Sequence, residues 1–311
     1  LTSVHESPLR FGLLYAASDD GLIHVTRDGG ETWTRISDNL PQDLWVSRVQ
    51  ASAHERGRVY ASLNGYRNDD FSAYLYASDD YGQTWKKIGN TLPAEPINVV
   101  REDDENENVL YVGTDHHIYV SLDRGETFNT LSAGFPDVAV HDLDVHPSGT
   151  LVIGTHGRSM YTADIRQIRL LTPEVLASGL HIFEVPKRKY NRNWGKKPAY
   201  DTAKDPELPV WIYSNTTGNV NWTIKMKEND LVLNEGTKKI VKGLSCLKYD
   251  LSVVNGAQKD YREKLQASQK DPKKTMELEK ADTGKIYLRK GSYRIVAEKD
   301  GVRVEKDFFI D

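Results

Sequence analysis

Carboxylates set beside histidines can move protons or hold a metal ion, and the first half of this chain places such groups together more than once. Asp115, His116 and His117 stand in a row. His141, Asp142 and Asp144 fall within VHDLDVH at 140–146, and His156 and Arg158 within GTHGR at 154–158. In a strand, alternation puts His141, Leu143 and Val145 on one face and Asp142, Asp144 and His146 on the other. Adjacent histidines in a turn seldom aim at one ion, and Asp115-His116-His117 has no identifiable third ligand, so no metal site is expected. A glycosidase needs two carboxylates flanking the scissile bond, but residues 1–165 carry 25 acids, too many for their presence to decide anything. A sialidase would also need an arginine cluster for the substrate carboxylate. The 10 arginines of residues 1–165 are scattered over loops and no Arg-Ile-Pro occurs, so sialidase activity is not expected. No catalytic residue and no cofactor are assigned. His141, Asp142, Asp144, His156 and Arg158 are the candidates for lining a channel or meeting a ligand, with Arg158 also a candidate partner for an acid of a neighbouring sheet.

A second set of acids is repeated too regularly to be a catalyst. TRDGGETW at 26–33, SDDYGQTW at 78–85 and SLDRGETF at 121–128 all fit Ser/Thr-x-Asp-x-Gly-x-Thr-aromatic. Asp28, Asp80 and Asp123 can accept backbone N–H bonds within a tight turn. Gly30, Gly82 and Gly125 permit the positive φ such a turn needs. Thr32, Thr84 and Thr127 recur with them, and Trp33, Trp85 and Phe128 can wedge between sheets. A catalyst is needed once and a brace in every repeat, so these residues read as structural.

The elements that carry the octapeptides repeat as well. Tyr15, Tyr60, Tyr111 and Val152 hold equivalent places 45, 51 and 41 residues apart. Each unit has an upstream apolar strand (LTSVHES, WVSRVQAS, INVVRED, VHDLDVHP), and the first three have a strand after the octapeptide (TWTRIS, TWKKIG, TFNTLS). Four short strands in a unit of 40–50 residues predict a β-propeller blade. The fourth unit, about 138–165, lacks the closing aromatic strand, which would leave an open edge. Three and a half blades cannot close a ring. The remainder is expected from missing N-terminal blades of the same polypeptide or from a second chain, paired beside SMYTAD at 159–164.

These octapeptides are Asp-boxes, or BNR repeats, at blade spacing. Together with YAASDDGLIHVTRDGGETW, YVGTDHHIYVSLDRGETF, VHDLDVHPSGTLVIGTHGRSMYTADI and LRKGSYRIVAEKDGVRVEKDFFI, they make the chain resemble the C-terminal part of bacterial BNR-repeat, sortilin-like proteins, often labelled glycosyl hydrolases. The loop NGYRNDDFSAY at 64–74 and the Asp115-His116-His117 turn depart from that pattern. The expected function is that of a non-enzymatic, exported bacterial protein that binds a protein or glycan ligand through the propeller. The alternatives are the non-catalytic part of a glycoside hydrolase, with its acids elsewhere, and a structural subunit of a surface assembly.

Composition bounds the rest. The 311 residues suffice for two domains. Residues 1–165 hold 12 basic against 25 acidic side chains, a net −13, and 166–311 hold 29 against 20, a net +9, as expected of two modules that attract each other. There is no run of eighteen apolar residues to span a membrane. Leu1 opens the chain without a signal-peptide pattern, as in a processed chain or a fragment. The single cysteine, Cys246, fits a bacterial exported protein, periplasmic or at the cell surface, as well as a cytosolic one.

The expected domains are an all-β partial propeller over 1–165, a basic linker over 166–208 and a β-sandwich of immunoglobulin or fibronectin type over 209–311. The linker holds a short helix capped by Thr172 and the basic, aromatic run PKRKYNRNWGKKPAYD. Basic and aromatic residues interleaved in this way can bind nucleic acid or anionic glycan. The expectation here is a linker along an acidic neighbour, with no nucleic-acid partner. A helical insertion is placed at about 257–281, with Ala257, Tyr261, Leu265 and Ser268 on one stripe and a stop before Pro272. Asn215 and Asn221 open glycosylation sequons.

Overall fold

The computed structural model describes residues 1–131, 134–268 and 277–311. The chain is all-β and divides into two compact units, Leu1–Leu171 and Thr172–Asp311.

The first unit is propeller-like. Its first sheet runs β1 (Ser3–Glu6), β2 (Leu14–Ala17), β3 (Ile23–Thr26), β4 (Thr34–Arg35). The second is β5 (Trp45–Ala51), β6 (Val59–Asn64), β7 (Tyr74–Ser78), β8 (Lys86–Ile88), and the third is β9 (Ile97–Glu102), β10 (Leu110–Thr114), β11 (Ile118–Ser121), β12 (Asn129–Thr130). The fourth has three strands among the described residues: β13 (Val140–His146), β14 (Thr150–Thr155) and β15 (Met160–Asp164). All pairings are antiparallel, and the first strands β1, β5, β9 and β13 lie side by side in that order. Apolar side chains fill the gaps between sheets. Leu13, Tyr15, Ile23 and Ile36 meet Val46, Val49 and Leu63, and Leu75 and Ile88 meet Ile97, Val112 and Phe128.

The Asp-boxes lock neighbouring sheets together. A methyl group on Gly82, at φ +86°, would overlap the Ile36 side chain, and one on Gly125, at φ +90°, would sit 2.6 Å from Ile88 Cδ1. The glycines of the second and third boxes therefore receive the isoleucine that closes the preceding sheet. Trp85 Nε1 adds a bond of 2.7 Å to Ile36 O, and Phe128 is 8% exposed. The expected wedge fails at Trp33, which is 43% exposed, and only its own ring lies near Gly30. Its sheet is the first, and no preceding sheet packs on it.

In the second unit, β16 (Leu180–Ile182), β17 (Leu208–Ser214) and β20 (Gly243–Tyr249) form one sheet, and β18 (Gly218–Met226), β19 (Val232–Ile240), β23 (Gly291–Lys299) and β24 (Val302–Ile310) another, with β21 (Ser252–Val253) and β22 (Ile286–Tyr287) paired beside them. Ile182, Val210, Ile212 and Leu247 of one sheet share a core with Val220, Ile224, Ile295 and Phe308 of the other.

The segment expected as a linker is in part structured, because Leu180 and Ile182 pair with Ser214 and Ile212. Arg188 N donates to Phe309 O and Tyr190 N to Asp311 O, so the basic run follows the last strand of its own unit. The helical insertion is described as a helix over Gln258–Ala267, with Tyr261 fully buried and its hydroxyl 2.7 Å from that of Tyr293. The stop before Pro272 lies outside the described residues.

Candidate functional site

Register divides the first unit into two ends. Glu6, Leu14 and Thr26 are aligned across the first sheet, and Glu102, Leu110 and Ser121 across the third. The boxes follow Thr26, Ser78 and Ser121, so all three lie at this end.

Each box closes in the same way. Asp28 Oδ1 accepts from Thr32 N (3.0 Å) and from the Thr26 hydroxyl (2.7 Å), and its Oδ2 accepts from the Thr32 hydroxyl (2.5 Å). Asp80 repeats this with Thr84 N (2.8 Å), Ser78 and the Thr84 hydroxyl (2.7 Å), and Asp123 with Thr127 N (2.8 Å), Ser121 and the Thr127 hydroxyl (2.5 Å). The leading hydroxyl in turn accepts from the box glycine N–H, at 2.8–2.9 Å. The Thr32 and Thr26 hydroxyls, then the Thr32 N–H, hold the Asp28 carboxyl far below the usual carboxylate range.

Sequence reasoning missed a buried acid network at the same end. Glu102, 1% exposed, accepts from Ser52 Oγ (3.0 Å), Ala53 N (2.8 Å) and Tyr60 Oη (2.9 Å). Asp103, fully buried, is met by Arg169 Nε at 3.0 Å and accepts from Tyr111 Oη at 3.2 Å. Burial, and then these acids, push both tyrosine hydroxyls well above their ordinary range.

The first strands carry a charged ladder. Arg48 Nη2 lies 2.5 Å from Asp142 Oδ1, joining the second sheet to the fourth. Arg101 Nη2 reaches Asp144 at 3.4 Å and Asp104 at 3.3 Å. Burial raises the Asp104 carboxyl above its ordinary value, Arg101 opposes this, and Asp103 and Asp144 add to it. Burial, then Arg101 and Arg48, hold His5 below the usual imidazole range. The signal for this ladder was present: WVSRVQAS, INVVRED and VHDLDVHP are equivalent strands, two bearing arginine and one aspartates.

Two expectations are corrected here. His141 does not share a face with Leu143 and Val145. A β-bulge between Val140 and Asp142 leaves it unpaired and exposed, its ring 5.3 Å from that of His156. Arg158 is exposed and makes no ion pair among the described residues; Arg48 and Arg101 take the acids of β13 instead.

The opposite end is aromatic and polar. Tyr66, 59% exposed, packs edge-on against exposed Phe71 at 6.0 Å, and Arg67 lies over the Trp45 ring at 5.0 Å. Asn64 Nδ2 donates to Asn98 Oδ1, and Asn98 Nδ2 to Asp115 Oδ1, both at 2.9 Å. Asp115 is thus held away from its histidine neighbours, while His116 Nδ1 faces Glu95 Oε2 at 3.8 Å. Among the described residues no three His, Cys, Asp or Glu side chains are grouped to hold a metal ion, and no helix is long and apolar enough to cross a membrane.

The family model for sortilin, neurotensin receptor 3 (Sortilin-Vps10) matches residues 73–232. A xyloglucanase of Paenibacillus sp is 25% identical over 158 residues, covering 46% of this chain and 15% of that protein. A probable oligoxyloglucan-reducing end-specific xyloglucanase of Neosartorya fischeri is 25% identical over 185 residues, 53% of this chain and 22% of that one. The chain thus spans less than a quarter of the length of these curated relatives. Among solved structures, the GH74 xyloglucanase from Xanthomonas campestris aligns over 99% of this chain and 47% of its own, at 14% identity and a TM-score of 0.44.

Proposed function

This chain belongs to the Sortilin-Vps10 family, and from that premise we propose that it is an exported, non-enzymatic binding protein. Its first unit is three blades and a truncated fourth of a propeller completed by other polypeptide, either upstream sequence or a second subunit. Its second unit is a supporting sandwich of immunoglobulin or fibronectin type. The ligand, a protein or a glycan, meets the strand ends opposite the Asp-boxes, the end that carries Tyr66, Phe71 and Arg67 on the second sheet, His116 on the third and His141 and His156 on the fourth.

The observation that carries the binding reading is the engagement of the acids. Asp142 and Asp144 are each paired to an arginine of another sheet, and Glu102 and Asp103 are buried and saturated with donors. Completion is supported by the inter-sheet lock. Gly82 and Gly125 each seat an isoleucine, whereas Gly30 seats none, and Val4 of β1 and Trp33, just before β4, are exposed. The partner this suits is another Asp-box sheet offering an aliphatic residue three positions after its aromatic, as Ile36 follows Trp33 and Ile88 follows Trp85.

A second reading, in which this chain carries catalytic acids of a glycoside hydrolase instead of being its non-catalytic part, is favoured by one arrangement. Asp104 and Asp144 flank Arg101, with Asp104 pushed up, and two carboxyls in unlike environments are what acid–base cleavage of a glycoside uses. Incubation of the protein with xyloglucan oligosaccharides decides between the two. The binding reading predicts no new reducing ends from the wild type or from Asp144→Asn. Sustained release that Asp144→Asn or Asp104→Asn abolishes would overturn it.

A further inference from the structure

The basic, aromatic run of the second unit builds a recess that the proposed function leaves unused. Its cavity of about 390 Å³ is walled by Tyr190, Trp194 and Tyr287 and rimmed by Arg192, Lys196 and Arg289. Tyr190 and Trp194 meet edge-to-face at 5.5 Å, and Trp194 and Tyr287 at 6.4 Å.

The recess is held in shape before any ligand arrives. A methyl group on Gly195, at φ +68°, would come 2.5 Å from Tyr287 Oη and 2.6 Å from Thr283 Oγ1, so only glycine lets the turn close on Tyr287. Asn193 N donates to Asn191 Oδ1, Trp194 N to Asn191 O and Thr283 N to Gly195 O. Tyr287 Oη donates to Asp205 Oδ1 at 2.6 Å, and Lys285 bridges Asp205 and Asp250. Arg289 lies 5.4 Å from the centre of the Tyr190 ring, bonds its hydroxyl and donates to Glu277 O.

The rim cations are unspent. Among the described residues Arg192, Lys196 and Lys280 make no ion pair, and Glu279 is the one acid lining the recess. A ligand that suits this wall must offer C–H groups to aromatic rings, hydroxyls to the amides of Asn191 and Asn193, and an anion to the rim. A pyranose bearing a carboxylate offers all three. A single-stranded nucleic acid also pairs rings with phosphates. It stacks on open ring faces along a groove, however, whereas here the rings meet edge to face around a single recess, and Arg289 covers Tyr190.

We propose that this recess is a binding site for a uronate unit of an acidic oligosaccharide, with Trp194 against the sugar ring and Arg192 and Lys196 on the carboxylate.

Calorimetric titration of the whole chain with trigalacturonate tests this, with cellotriose, inorganic phosphate and a single-stranded RNA oligonucleotide as comparisons. Saturable binding of trigalacturonate is expected, at least about tenfold tighter than any comparison, since a charge-assisted contact is worth that much. The double substitution Arg192→Ser/Lys196→Ser changes only exposed side chains and should weaken it at least as much; Trp194→Ala should abolish it. Absence of saturable binding would overturn the proposal. Equal binding of cellotriose, phosphate or RNA, or unchanged affinity in the Arg192→Ser/Lys196→Ser variant, would do the same.

Discussion

At the scale of the residue, each Asp-box aspartate works through bonds to atoms two and four positions away. Asp80 accepts from Ser78 and twice from Thr84. Its surroundings remain open to water, so Asp80→Ala should cost about 1 kcal/mol, the size of a lost helix cap, in urea unfolding. A larger effect on ligand binding than on stability would argue against a bracing role. Asp28 gives a pH prediction. Its carboxyl is held below the ordinary value, so the folded state takes up the proton less readily than the unfolded chain. The stability it lends is complete at neutral pH and is lost as pH falls below about 4. Asp28→Asn should therefore flatten the acid limb of a stability–pH curve and leave its alkaline limb unchanged. These turns were legible in the sequence because every bond in them is local. His141 was not, because a one-residue bulge reverses the facing of a strand and nothing in VHDLDVH announces it.

At the scale of the element, stability in the first unit comes from one sheet fitting the next. Gly82→Ala should destabilise by about 1–3 kcal/mol, from overpacking on Ile36 and an unfavourable positive φ. Ile36→Val removes the methyl that collides, so the double variant should be more stable than the sum of the two single costs implies, as a double-mutant cycle will measure. Additive costs would mean that the two positions do not touch. Trp85→Ala should cost about 3 kcal/mol, for its ring between sheets and its bond to Ile36 O. The repeat spacing made the sheets readable. The partners within them were not, since Arg48 and Asp142 lie 94 residues apart and their pairing depends on how the sheets stand together. Strand β16 was read as linker because Leu180 and Ile182 are too few to register as a strand by alternation and acquire that state only from β17.

At the scale of the whole molecule, the first sheet differs from its neighbours in what covers it. Trp85 and Phe128 are packed by a preceding sheet, whereas Trp33 is 43% and Val4 50% exposed. Exposed apolar faces of this kind mark sites that meet another surface. The repeat made the number of units readable, but Trp33 alone could not reveal its own exposure, because its local sequence matches that of Trp85. The proposed completion by a further Asp-box sheet can be read at this one residue. A photo-crosslinking phenylalanine analogue placed at position 33 of the protein as it occurs in its cell, followed by mass spectrometry, identifies what lies against it. A crosslink to a strand that follows an Asp-box, in upstream polypeptide or a second subunit, is the predicted result. Efficient incorporation with no crosslink beyond water-quenched product would contradict the account.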